Sequence, residues 1–372
     1  IDDKAKVDAG KNLTIEADSE IRTISVAGGI VVTKGPVGIG LSVSLNTLDA
    51  DVRAFIGNRS PLVDLAPSTG VIKVGDNLTL NATADTEIGA YSLAGAVATS
   101  SKSQTDVPAD AGETQDGGSS AAVAGSGSSS GGSAGSGSSG GGAGSGTGKG
   151  KFGIAVSGDA SVNDIEADTL AYISSGVQIQ QADNVSVTAD NTLDINALSG
   201  AVTISTQQDG NSIAGSYAQN TLAGTTSAYI ADASVTQNGT LTISADVDGN
   251  IKTLSATLAG AKGKAGVAGS VSINEISNTT HAYIARSSLS GVSNAFINAS
   301  DLSGIQSVAG AIAFGGKAGI GLSFAWNKLD NDTLVYVDDS DLQASGSITL
   351  DAQTDNDIDT ISASLGLSKG PL

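Results

Sequence analysis

The sequence predicts an all-β protein, a parallel β-solenoid or β-helix built from repeats of about 54 residues. Three observations predict it. A motif of aliphatic residue, any residue, then Ala recurs along the chain. A second motif, joining an Asn to an aromatic, recurs between its copies at a constant internal distance. The residues between the motifs alternate with period two. Tandem β-sandwich domains are the second reading, weakened by the want of a core Trp in each unit and of linkers at the boundaries.

The first motif reads Ile15-Glu16-Ala17, Leu80-Asn81-Ala82, Val187-Thr188-Ala189, Ile243-Ser244-Ala245, Ile297-Asn298-Ala299 and Leu350-Asp351-Ala352. An Ile follows the Ala by six residues at Ile88, Ile195, Ile251, Ile305 and Ile358; in the first copy Ile21 follows by four. The last four alanines are 56, 54 and 53 residues apart. The second motif reads Asn46/Leu48/Phe55, Asn163/Ile165/Tyr172, Asn220/Leu222/Tyr229, Asn274/Ile276/Tyr283 and Asn327/Leu329/Tyr336, with nine residues from Asn to aromatic every time. Between the motifs lies an alternating stretch such as 21–32, then a Gly/Lys turn such as Lys34-Gly35-Pro36, then a second alternating stretch such as 39–45. Later turns fall at 148–151, 260–264 and 315–317, and no segment carries a capped helical stripe.

The expected organisation is one array over 1–372. Repeat 1 covers 10–74, repeat 2 covers 75–180, repeat 3 covers 181–237, repeat 4 covers 238–292, repeat 5 covers 293–344, and a sixth starts at 345–372. A Gly/Ser/Ala-rich insert at 103–148 interrupts repeat 2 and reads as a flexible loop or linker. A shorter insertion near 60–70 contains Pro61 and Pro67. The chain opens at Ile1 and closes on Lys369-Gly370-Pro371, an echo of Lys34-Gly35-Pro36, so a slice of a longer array is expected.

Units made only of strand and turn cannot each bury a core, but stacked they share one. Equivalent residues then form ladders at a spacing of about 4.8 Å. One large flattened rung per repeat is preferred to three small ones, because no shorter sub-period is visible. Small inward residues would let two faces pack closely. Trp326 aligns with Leu45, Val162 and Ile273 and is expected to fill the core. Asn46, Asn163, Asn220, Asn274 and Asn327 are expected at corners, with side-chain amides satisfying turn backbone. Phe55, Tyr172, Tyr229, Tyr283 and Tyr336 are expected as a stacked structural ladder.

Composition narrows function. With 18 Lys plus Arg against 38 Asp plus Glu, the net charge is −20, so phosphate backbones are repelled and no nucleic-acid partner is expected. The absence of Cys excludes disulfides, zinc–thiolate sites and thiol nucleophiles. No run of 18 apolar residues exists, so no helical membrane span is expected. His281 is the single histidine, and a Ser-His-Asp triad would have to use it. Its alignment with Thr169, Ser227 and Thr333 favours a variable strand-surface position instead.

Aspartates cluster in Asp246-Val247-Asp248-Gly249-Asn250, Asp355-Asn356-Asp357-Ile358-Asp359, Asp330-Asn331-Asp332 and Asp49-Ala50-Asp51, which read as turns. Spaced oxygens of this kind suit a hard cation, so Asp246, Asp248, Asp355, Asp357 and Asp359 are the candidate Ca²⁺ ligands. Ordinary turn chemistry is the competing and preferred account, no other cofactor is expected, and the EF-hand pattern is absent. Carboxylates that recur with the repeat argue for scaffold over a single active site, so no enzyme is expected. Lys149-Gly150-Lys151 lacks the phosphate-loop pattern.

The segments Gly38-Ile39-Gly40-Leu41-Ser42-Val43-Ser44-Leu45-Asn46, Val267-Ala268-Gly269-Ser270-Val271-Ser272-Ile273-Asn274 and Thr279-Thr280-His281-Ala282-Tyr283-Ile284 resemble the repeats of very large bacterial surface proteins. These are the leukotoxin-like filamentous adhesins and, more distantly, filamentous-haemagglutinin-type β-solenoids. The resemblance covers roughly 10–372 outside the insert. It implies a secreted chain at the bacterial cell surface, with a structural or adhesive role in a filament, extracellular matrix or biofilm. It implies self-association, end to end or lateral, and contact with glycans of a host or neighbouring cell. A carbohydrate-active β-helix enzyme and a Ca²⁺-dependent binding module are the alternatives.

Overall fold

The computed structural model describes residues 1–2, 4–59, 70–99 and 152–370. The Gly/Ser/Ala insert, Pro61, Pro67, Lys149-Gly150-Lys151 and Pro371 lie outside the described residues.

The described chain is strand and turn, without helix, wound in rungs of three sides. The first rung is β1 (Lys6–Ala9), β2 (Leu13–Thr33) and β3 (Val37–Ile56). The second is β4 (Val71–Val74), β5 (Leu78–Ala98) and β6 (Phe152–Ile173), and the third β7 (Gln178–Ala182), β8 (Val185–Ser205) and β9 (Asp209–Ala231). The fourth is β10 (Ser234–Gln237), β11 (Leu241–Ala261) and β12 (Ala265–Ala285). The fifth is β13 (Ser288–Val292), β14 (Ala295–Gly315) and a third side split into β15 (Ala318–Leu329) and β16 (Asp332–Asp338). A sixth begins with β17 (Asp341–Ala344) and β18 (Ile348–Ser368).

Each side pairs in parallel with its equivalent in the next rung, giving three sheets. The first holds the short strands β1-β4-β7-β10-β13-β17, the second β2-β5-β8-β11-β14-β18, and the third β3-β6-β9-β12 with β15 and β16. This is a parallel β-solenoid with one large rung per repeat. The tandem-sandwich and small-rung readings fall, because Tyr229 pairs with Tyr283 within a ladder running from Gly266↔Ser212 to Ala285↔Ala231. The Ala motif stacks as Ala17↔Ala82↔Ala189↔Ala245↔Ala299↔Ala352. The Ile that follows it stacks as Ile88↔Ile195↔Ile251↔Ile305↔Ile358.

The rung tapers, and the taper decides which residues fit inside. At the wide end the short sheet holds the two long sheets apart. Leu78, Leu80, Ile56, Ile173, Ile179 and Ile230 fill that space completely buried or nearly so. At the narrow end, by the Gly/Lys turns, the long sheets close directly on each other. A methyl group added at Gly29 or Gly266 would overlap the carbonyl of Leu41 or Phe314 on the facing sheet. Gly, Ala, Ser and Thr fill most inward positions there, and the serines hydrogen-bond across the gap. Ser25 Oγ lies 2.8 Å from Ser44 Oγ, Ser272 Oγ lies 3.0 Å from Ser307 Oγ, and Ser270 Oγ donates to Ser255 O at 2.8 Å.

The aliphatic partners in those alternating stretches therefore point outward. Leu45 is 72% exposed and Trp326 is 42% exposed on the outer face of β15. Trp326 is thus not core filling. The gap on its strand's inner side is already closed by Gly, Ser and Ala, and no ring of that size could enter it.

Candidate functional site

Three ladders gather the polar and aromatic groups. The first is the asparagine row, which lies in mid-strand and not at a corner. Asn46 belongs to β3, Asn163 to β6, Asn220 to β9, Asn274 to β12 and Asn327 to β15. Each Nδ2 donates to the Oδ1 of the next rung at 2.7 Å, from Asn46 through Asn163, Asn220 and Asn274 to Asn327. The second Nδ2 hydrogen finds Ser44, Ser161 or Ser272 two residues earlier, or Thr253 on the facing sheet for Asn220. A parallel in-register stack repeats every amide at the strand spacing, so each amide finds its donor and acceptor in the neighbouring rungs and needs no turn backbone. The row separates the wide aliphatic core from the narrow Gly/Ser seam.

The second is the aromatic row. Phe55, Tyr172, Tyr229, Tyr283 and Tyr336 stack with ring centroids 5.4, 5.0, 4.7 and 4.8 Å apart and planes nearly parallel. Tyr172 Oη donates toward the carbonyl oxygens of Asn58 and Arg59, at 2.8 and 3.0 Å. Tyr229 is 4% exposed and its hydroxyl, equally buried, has no hydrogen-bond partner among the described residues. Just beyond the rings each rung turns through a residue with positive φ: Ser175 at 64°, Asp232 at 52°, Arg286 at 46° and Asp339 at 43°. Arg286 grips Asp232 of the rung below through two bonds of 2.8 and 2.7 Å. The corner forms an open groove floored by the edges of Tyr229, Tyr283 and Tyr336 and rimmed by serines, Asp232 and Arg286. It offers hydrogen-bond donors, acceptors and ring edges, while the ring faces are taken up by neighbouring rings.

The third is the acidic exterior. The aspartates expected in turns sit mostly in strand interiors, because outward positions of a long strand are as solvated as a turn. Asp246 and Asp248 lie within β11, Asp355, Asp357 and Asp359 within β18, and Asp49 and Asp51 within β3. Only Asp330-Asn331 breaks a strand, between β15 and β16. A surface groove brings Asp248, Asp355 and Asp357 together with Asn250 and Asn356. Asp246 accepts from Ser244 at 2.8 Å, and Asp359 aligns with Gln306 and Lys252. Among the described residues no three acidic or histidine groups converge closely enough to hold a metal ion.

His281 aligns with Leu170, Ser227 and Leu334, one residue away from the expected Thr169 and Thr333. Its Nε2 meets Asp332 Oδ2 at 3.4 Å.

Two buried acids escaped sequence reasoning, since nothing in a lone Asp distinguishes inside from outside. Asp159 replaces a serine in the ladder Ser42↔Asp159↔Ser216↔Ser270↔Ser323, and its Oδ2 accepts from Ser92, Ser199 and the Gly200 amide at 2.8, 2.6 and 2.9 Å. Asp301 accepts from Ser303 at 2.5 Å and Asn331 at 2.8 Å.

Burial raises the Asp301 carboxyl, against the pull of its hydrogen bonds from Ser303, Asn331 and Thr280. Burial also raises Asp190 and Asp194, with added repulsion from Asp246 and Asp248 on the first and chiefly Asp248 on the second. These groups bind a proton more tightly folded than unfolded. Their contribution to stability is complete at low pH and is lost as pH rises through the folded values. The described ion pairs, such as Arg22–Glu87 at 3.0 Å, are exposed and offset little of this. The melting temperature, measured by circular dichroism, should therefore rise as pH falls from neutral toward the ordinary carboxylate range. A fall on mild acidification would contradict these assignments. Burial also pushes Tyr172 up to about 12, and Tyr229 and Tyr283 upward as well, so stability should decline above pH 10 as unfolded tyrosines ionise first.

Among known proteins no family model matches the chain, no curated protein matches it, and no solved structure matches it.

Proposed function

We propose that this chain is part of a secreted bacterial cell-surface scaffold, a stacked acidic filament with a structural or adhesive role. One observation carries the reading: every rung is completed by the rung beside it, each side pairing with its equivalent in three parallel sheets. The pairing that joins one repeat to the next would join any further repeat of the same pattern, so such a stack extends by the rule that built it. The acidic exterior supports the same reading, because repulsion keeps such an array soluble and apart from anionic surfaces. Contact with partner-cell glycans is assigned to the corner groove, whose serines, Asp232, Arg286 and tyrosine edges suit sugar hydroxyls.

Electron microscopy of the purified chain, paired with a glycan array, tests this. A rung of 21-residue strands is about 70 Å across and six rungs are about 29 Å deep. Slabs of that shape, joining into fibres as concentration rises, are expected, with array binding that Arg286→Ala weakens. Spherical particles that neither polymerise nor bind glycans would overturn the proposal.

A further inference from the structure

We infer that the outer face of the second sheet, beside the Gly/Lys turns, docks a second copy of this chain face to face with strands antiparallel. The inverted alternation of the narrow end creates this surface. Outward columns run in register down the stack, one of them Val26↔Tyr91↔Leu198↔Leu254↔Val308↔Ile361. Exposure is not an end effect, since Leu254 in the fourth rung is 43% exposed with a strand on either side. Within the second sheet no charged residue occurs at 23–33, 88–98, 195–205, 253–261, 305–315 or 360–368, in a chain with 38 acidic residues. Monomeric proteins rarely leave so continuous an apolar patch uncovered.

Size and charge point to the occupant. The band is about nine residues wide, near 30 Å, and six strands deep, near 29 Å. That gives roughly 850 Å² per partner, against about 800 Å² in a standard stable interface. Lysines bound one side of the band, at Lys34, Lys262, Lys317 and Lys369, and the other side is mixed but mostly acidic, with Glu87, Asp194, Asp357 and Asp359 against Arg22 and Lys252. The centre column is Gly28↔Leu93↔Gly200↔Ala256↔Gly310↔Ala363. Lys34, Lys262 and Lys369 each lie six residues beyond it, and Glu87, Asp194 and Asp357 each lie six residues before it. A two-fold axis along this column therefore lays the lysine side of one copy over the mostly acidic side of the other. The stacking directions stay parallel, so each added rung enlarges the contact. The matching band on the third sheet, centred on Leu41↔Gly158↔Gly215↔Gly269↔Leu322, is shallower, five strands deep against six.

Sedimentation equilibrium of the full chain should report a dimer that weakens as salt rises. Leu254→Glu with Ile312→Glu should weaken it by about 100-fold without changing the circular dichroism spectrum, whereas Ile213→Glu on the third sheet should not. The chain has no cysteine, so Ala256→Cys gives a clean second readout. A residue on the axis faces its own copy and should cross-link on mild oxidation, while Gly269→Cys on the third sheet should not. A monomer at 100 µM, a dimer lost only through the third-sheet variant, or a monomer that instead floats with phosphatidylglycerol vesicles through this band would each overturn the proposal.

Discussion

Replacing Tyr229 by Ala is expected to lower the unfolding free energy by about 3–5 kcal/mol, the range for deleting a large buried ring. Tyr229 is held between Tyr172 and Tyr283, at 5.0 and 4.7 Å, so the truncation opens a gap between two stacked rings. The conservative change should go the other way. Tyr229→Phe removes a buried hydroxyl that has no partner among the described residues, and should raise stability by about 1 kcal/mol. Tyr172→Phe should cost about 1 kcal/mol, because its hydroxyl serves the carbonyls of Asn58 and Arg59. Phe55 already stands at the first position of the same stack. Urea midpoints of the three variants decide this, and equal effects for the two Phe variants would refute the hydroxyl argument.

Asn220→Ala should cost about 2–4 kcal/mol, the sum of a small cavity and weakened hydrogen bonds on both neighbours. Asn220 has no solvent exposure, accepts from Asn163, and donates to Asn274 and Thr253, all at 2.7 Å. Asn220→Asp keeps the shape but should cost more at neutral pH. A carboxylate would face Asn274 Oδ1 with nothing to donate, in a site closed to water. Acidification should restore part of the loss by protonating it. A pH-independent deficit would mean that the row acts through packing alone.

The winding of the chain was legible because parallel in-register stacking makes motif spacing a direct record of rung length. The Ala steps and the constant Asn-to-aromatic interval were enough. What alternation could not reveal was its phase. In the stretch from Ile39 to Leu45 either set could face inward, and transfer energies alone would bury the aliphatics. The distance between the sheets decides otherwise, and that distance depends on where the short strands of the first sheet sit. The aspartates were misplaced for a related reason. Asp-rich segments suggest turns when strands are expected to be short, but β11 and β18 run through 21 residues and carry Asp246, Asp248, Asp355, Asp357 and Asp359 along them. The sequence places Asn220 at a corner because its amide donors call for acceptors that a turn backbone supplies. They are satisfied by the same residue in the next rung.

The long rung has a mechanical consequence. One whole repeat advances the stack by only a strand spacing, so a fibre of this kind is costly in chain length per ångström. In return its cross-section is broad. Tension along the fibre axis is shared at once by the interstrand bonds of two 21-residue sides, Leu241–Ala261 and Ala265–Ala285 in the fourth rung, instead of falling on them one after another. A tether so built should give way abruptly at high force, with little stretch beforehand.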